Sequence, residues 1–270
     1  MHLARYLATN NEVLPLRHCD LNITDREAVR RLIFHERPAL IINCAVVGVD
    51  ECERDPALAH AVNVSGPQAL AEAADEVLAE FLHFSTNYVF DGAREGQLSY
   101  TTDDESCPIN VYGRTKLAGE RAVRAVTWKS FIVRTSWVYG AGKESFLSIV
   151  HRQLLAGKRV RAITDVWAST TYVTDLVART EEILKRRHYA TYHVVNGGVC
   201  SYAEFAREAA RLVGVAETEA NILIEEVSEA NMQRLARRPR YTPLHCLAAE
   251  ALGLAPLRNW QAALAAYVSK

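Results

Sequence analysis

Phe81-Leu82-His83-Phe84-Ser85 is a short apolar run set between two helical stretches, and its reading decides the fold. Before it, Asp55–Pro56 opens a long alanine-rich stretch that runs to about Leu78. After it comes Tyr112–Val126, with apolar residues at helical spacing. Leu40–Ala45 and Phe131–Val138 are further apolar runs of strand length. Strand and helix therefore alternate, which predicts an α/β fold: a doubly wound parallel sheet with helices on both faces.

Working outward, His2–Thr9 reads as the remainder of a helix and Glu12–Leu16 as a short strand. Thr24 is placed to cap a helix over Asp25–Glu36, with Glu27 at the capping-box position and Pro38 ending it. Beyond residue 140 the pattern loosens. Phe146–Ala156 reads as a helix closed by Gly157, Tyr192–Val195 as a strand, Ser201–Val213 as a helix, and Trp260–Val268 as the last helix. The basic segment Arg234-Leu-Ala-Arg-Arg-Pro-Arg240 reads as a solvated turn, with contact to a substrate phosphate as the alternative. The expected division is a dinucleotide-binding part over 1–140 and a smaller lobe over 141–270, with segments returning to the first part.

The 270 residues are 49% hydrophobic, enough for a sizeable core. The net charge of -1 comes from 31 basic and 32 acidic side chains, so electrostatics gives no reason to expect nucleic acid or a membrane surface. No apolar run approaches the roughly 20 residues that span a bilayer, and Met1–Asn10 lacks the pattern of a secretory signal. Cys19, Cys44, Cys52, Cys107, Cys200 and Cys246 form no Cys-x-x-Cys pair, and the nine histidines show no His-x-x-x-His spacing. Reduced thiols, no metal site and a cytoplasmic location are the expectations.

Asn110-Val111-Tyr112-Gly113-Arg114-Thr115-Lys116 holds the clearest chemistry. On a helix, Tyr112 and Lys116 share a face one turn apart. A free phenol, with a pKa of about 10, is a poor acid at neutral pH. A neighbouring ammonium is expected to lower it toward the working range, which suits protonation of a carbonyl being reduced. The spacing alone is weak, because exposed helices carry it by chance.

Dinucleotide-binding sheets normally begin with a strand and a glycine-rich turn that meets the pyrophosphate. Here the first residues already read as the helix after that turn. The expectation is that this strand and turn are absent from the sequence given, either because its start is not the natural one or because the chain is a shortened, non-catalytic relative.

Longer stretches set these residues in a family. They are Val49-Asp50-Glu51-Cys52-Glu53, Ala61-Val62-Asn63-Val64, Phe84-Ser85-Thr86-Asn87-Tyr88-Val89-Phe90-Asp91-Gly92, Pro108 through Glu120, and Arg134-Thr135-Ser136-Trp137-Val138-Tyr139-Gly140. Together, in this order, they resemble the extended short-chain dehydrogenase/reductase superfamily, and within it the dTDP-4-dehydrorhamnose reductase family, from about His2 to Trp260. The resemblance implies a Rossmann-like domain and hydride transfer from NADPH or NADH to a nucleotide-linked 4-keto-6-deoxy sugar. It implies Tyr112 as the proton donor, Lys116 tuning that phenol and binding the nicotinamide ribose, and Thr86 (or Ser85) bonding the sugar oxygen. Asp20 and Leu21 match a pair that frames the adenine, and Cys44, Ala45 and Val46 match a strand end beside the cofactor. Arg17 suits a ribose 2′-phosphate, which favours NADPH. Asn87, Tyr88 and Trp137 match substrate positions, and a homodimer is the family's expectation.

The chain departs from the family's pattern in three places. Asn87 replaces the usual aspartate, the Ala45–Val49 loop is short, and Asp165–Tyr172 follows the substrate-lobe motif only loosely. These departures put the sugar in doubt more than the reaction. Asn87 and Tyr88 stand where a dehydratase needs carboxylates, which argues against dehydration. An epimerase remains open, as does a non-catalytic module similar to the regulatory subunit of methionine adenosyltransferase.

Overall fold

Strand residues point alternately to opposite faces of a sheet, and here that alternation sorts two layers of helices. The computed structural model describes residues 2–94 and 98–269. Its main sheet has four parallel strands in the order Leu40–Asn43, Glu80–Thr86, Ser130–Thr135 and Thr191–His193. Phe81 and Ile132 face one layer, packing with Val29 and Ile33 of helix Arg26–Glu36, Leu70 of Gly66–Glu76 and Val123 of Val111–Val126. Leu82, Phe131 and Val133 face the other, packing with Leu176 and Ile183 of helix Val173–Arg186. The expected doubly wound arrangement is present.

His83 and Ser85 share the face of Phe81, which sets both beneath helix Val111–Val126. The long helix expected from Asp55 runs from Pro56 to Glu76, with a π turn at Ala61–Ser65. That turn holds the buried Asn63. It lies so close to the neighbouring helix that a Cβ at Gly119 would collide with the Asn63 carbonyl oxygen.

Several boundaries move. Glu12–Leu16 is not a strand, because among the described residues nothing pairs with it and its polar backbone stays in solvent. Asp25 rather than Thr24 caps the second helix, its carboxylate accepting from the Ala28 amide at 2.9 Å. The Phe131–Val138 run breaks at Trp137, whose φ of +39° turns the chain before Val138–Tyr139 pairs with Thr171–Tyr172. Ser201 forms the capping box of Tyr202–Leu212 with Glu204, and Trp260–Val268 is helical as expected.

The second half builds a separate core around Tyr139, Phe205 and Leu264. Val160–Ile163 pairs there with Ile224–Val227, and Trp167–Ala168 lies between Cys200–Ser201 and Tyr241–Thr242. Helix Val173–Arg186 and strand Thr191–His193 leave this half to complete the main sheet. Among the described residues no helix is long and apolar enough to cross a membrane.

Candidate active site

Parallel strands present all their carboxyl ends at one edge, where ligands of open α/β sheets bind. Cys44–Val46, Thr86–Tyr88 and Trp137 follow the carboxyl ends of three successive strands of the sheet. The sheet therefore brings these sequence-selected residues to a common edge.

Helix Val111–Val126 reaches that edge because its first turn is tied down on three sides. Asn110 caps it, accepting from the Gly113 amide at 2.7 Å, and donates its own amide to the Arg237 carbonyl at 2.8 Å. Glu53 accepts from the Val111 amide at 2.8 Å. A Cβ at Gly113 would run into the Tyr88 carbonyl, so the glycine lets this turn press against the end of Glu80–Thr86. Tyr112 thereby meets Tyr88 edge to face, with ring centroids 5.8 Å apart.

Desolvation raises the Tyr112 phenol to about 12, and the Thr86 side chain beside it pulls the other way. Lys116 does not act on it as the spacing suggested. Lys116 is 2% exposed, and its Nζ donates to the Phe84 carbonyl at 2.6 Å and lies 3.1 Å from His83 Nε2. Burial lowers this lysine to about 8. The expected lowering of the phenol by Lys116 is thus absent, because the lysine turns into the sheet toward His83. Tyr112 keeps its proton at neutral pH.

Thr86 Oγ1 accepts from the Tyr88 amide at 3.1 Å and donates to Asn87 Oδ1, while Asn87 Nδ2 donates to Thr242 Oγ1 at 2.7 Å. Asn87 thus links the strand end to the second half of the chain. Trp137 lies against Tyr202, centroids 3.9 Å apart. Its left-handed backbone is uncommon for a bulky residue and marks a position held by its surroundings. Ser85 is committed elsewhere: its hydroxyl donates to Glu120, which pairs with the buried Arg134 at 2.7 Å.

The remaining cofactor candidates are less concentrated. Arg17 is exposed and binds Asp20 through its backbone amide at 2.8 Å and its side chain at 3.3 Å, which hold the Asp20 carboxyl below its usual range. Leu21 packs beside the cluster of Val29 and Ile33. Cys44 and Val46 are exposed, and the Ala45 amide donates to Asn43 Oδ1.

The basic segment is solvated only in part: Leu235, Arg237 and Arg240 are exposed, while three of its arginines meet carboxylates. Arg238, 9% exposed, pairs with Asp50 at 2.7 Å, and the Ala236 amide donates to the same carboxylate. Arg234 pairs with Glu229 and Arg240 with Asp165. The sequence reading also passed over Asn43, Asn63 and His83. Asn63 bridges the Val47 amide and Thr115 Oγ1, joining the loop after Leu40–Asn43 to helix Val111–Val126. Their signal was a polar residue inside an otherwise apolar run, where an unpaired group is costly.

A family model, the RmlD substrate binding domain, matches residues 1–270. A dTDP-4-dehydrorhamnose reductase of Mycolicibacterium smegmatis is 40% identical over 95% of this chain and 77% of its own length. A solved dTDP-4-dehydrorhamnose reductase of Clostridium acetobutylicum is 33% identical, with a TM-score of 0.91 over 99% of this chain and 93% of its own. A second, from Bacillus anthracis in complex with NADP, is 31% identical, with a TM-score of 0.88 over 98% and 94%. With a parallel sheet, a shared ligand edge and this similarity along its length, the chain belongs to the RmlD substrate binding domain family.

Proposed function

We propose that this chain is an NAD(P)H-dependent oxidoreductase that reduces a nucleotide-linked 4-keto-6-deoxy sugar. The observation that carries the reading is the Tyr112 phenol beside Thr86 at the ligand edge of the sheet, with Lys116 one turn further along the same helix. In the reaction, Tyr112 donates its proton to the carbonyl oxygen and Thr86 hydrogen-bonds that oxygen. Lys116, turned toward His83 in the cofactor-free chain, would bond the nicotinamide ribose and from there bring its charge to the phenol. When bound, the nicotinamide supplies the hydride.

The residues fit a dinucleotide. Val46 leaves an apolar surface at the strand end, with Cys44 and Ala45 beside it, and Lys116 is a buried donor near the same edge. Arg17 turned from Asp20 would meet a 2′-phosphate, which favours NADPH over NADH, and Asp20 and Leu21 frame the adenine side. Asn87, Tyr88 and Trp137 face the sugar nucleotide. Residues 1–140 make the dinucleotide side and 141–270 mainly the substrate lobe, in a cytoplasmic homodimer.

The test is NADPH consumption with a dTDP-4-keto-6-deoxy sugar. Loss of one NADPH per sugar reduced supports the reading. Conversion of the sugar without net NADPH loss identifies an epimerase and sinks it.

A further inference from the structure

Five polar groups beneath the proposed active site form a chain with a fixed end. The Ala45 amide donates to Asn43 Oδ1 at 3.0 Å. Asn43 Nδ2 lies 3.1 Å from His83 Nδ1, His83 Nε2 lies 3.1 Å from Lys116 Nζ, and Nζ donates to the Phe84 carbonyl at 2.6 Å. Asn43, His83 and Lys116 are all nearly or fully buried.

A backbone amide is only a donor, so Asn43 must turn its oxygen to Ala45 and its NH2 to His83. An NH2 is also only a donor, so Nδ1 is the unprotonated nitrogen of the imidazole. The ring is neutral, since burial holds it well below the ordinary histidine range. Its hydrogen is therefore on Nε2 and points at Nζ. An ammonium has no lone pair to receive it, whereas a neutral amine accepts from Nε2–H and still donates to Phe84. Placing the ammonium there forces a donor against a donor, either between His83 and Asn43 or, after an amide flip, between Asn43 and Ala45.

We infer that Asn43 and His83 are positioning residues that hold Lys116 as a neutral amine at mildly alkaline pH in the cofactor-free chain, and that dinucleotide binding there recruits a proton onto it. The inference rests on the proposed reading of Lys116 as a cofactor contact. The Nζ lone pair takes a proton from solvent, an N–H bond forms, and the hydrogen bond from His83 Nε2–H breaks. Nothing is oxidised or reduced.

The groups facing Lys116 do not oppose this. Cys44 follows strand Leu40–Asn43, and Cys52 on helix Val49–Arg54 is a thiol pushed up to about 11. Glu120, on the lysine's own helix, favours the ammonium, but Arg134 already pairs with it.

The test uses Asn43→Asp. Its carboxylate accepts from both Ala45 N–H and His83 Nδ1–H, so the ring hydrogen moves to Nδ1 and Nε2 is free to receive an ammonium. Nitrogen-15 NMR of the imidazoles at about pH 9 should show His83 as the Nε2–H tautomer in the natural chain and as Nδ1–H in the variant. Calorimetric titration with NADPH, in buffers of different ionisation enthalpy, should show uptake of about one proton at pH 9 and almost none at pH 6.5 in the natural chain. In the variant the uptake at pH 9 falls toward zero. An Nδ1–H tautomer in the natural chain at pH 9, or an uptake unchanged by pH and by the variant, overturns the proposal. The tautomer is read without substrate, so failure of reductase activity and failure of this inference are separate results.

Discussion

Lys116 shows what the sequence could and could not tell at the scale of one residue. The Tyr112–Lys116 spacing was legible, because helical geometry fixes which residues share a face. Where the ammonium lands was not, because His83 and the Phe84 carbonyl come from a strand some thirty positions earlier. A buried lysine lowered to about 8 carries a sign that can be checked. Between about pH 8 and 10.5 the unfolded chain binds the extra proton, so stability from this group rises with pH across that window. Below it, the charged lysine costs roughly 3 kcal/mol, and its hydrogen bond to the Phe84 carbonyl returns about 1–2 kcal/mol. Lys116→Met should therefore raise unfolding stability by about 1–2 kcal/mol at pH 7, an advantage that shrinks and reverses by pH 10 in urea titrations. Tyr112→Phe should leave stability and NADPH binding near the natural values while lowering kcat about 100- to 10,000-fold in steady-state assays.

Elements were readable where a short apolar run met helical periodicity on both sides, as at Phe81–Ser85 and Tyr112–Val126. They were misread where pairing decides. Glu12–Leu16 has strand-like residues but no pairing neighbour among the described residues, and Arg234–Arg240 has solvent-like charge but carboxylates waiting at Asp50, Glu229 and Asp165. Arg238→Ala should lower stability by about 1–3 kcal/mol in denaturant titrations, since Asp50 then keeps only its backbone donor. Gly113→Ala sets two effects against each other. Alanine gains about 1 kcal/mol of helix propensity, but its Cβ meets the Tyr88 carbonyl, a backbone atom that yields little. Overpacking of this kind costs about 1–3 kcal/mol. The variant should be less stable on balance and slower, because the helix start that holds Tyr112 must move away from Thr86.

For the whole molecule, the sheet and its ligand edge followed from the alternation of strand and helix. The second half did not, because its strands are short and its pairings, such as Val160–Ile163 with Ile224–Val227, are remote in sequence. Asn87 joins the halves through Thr242, and Asn110 joins them through the Arg237 carbonyl. Cofactor binding should accordingly raise the melting temperature of the entire chain in one transition, and a saturable NADPH-dependent shift in a thermal scan checks this.

The central claim, that Tyr112 and Lys116 serve hydride transfer to a sugar carbonyl, is tested most directly with NADPH deuterated at the transferable position. Incubation with a dTDP-4-keto-6-deoxy sugar should give a product carrying one deuterium at C4, and Tyr112→Phe should form it far more slowly. A product without deuterium, or equal rates from the two proteins, would contradict the account.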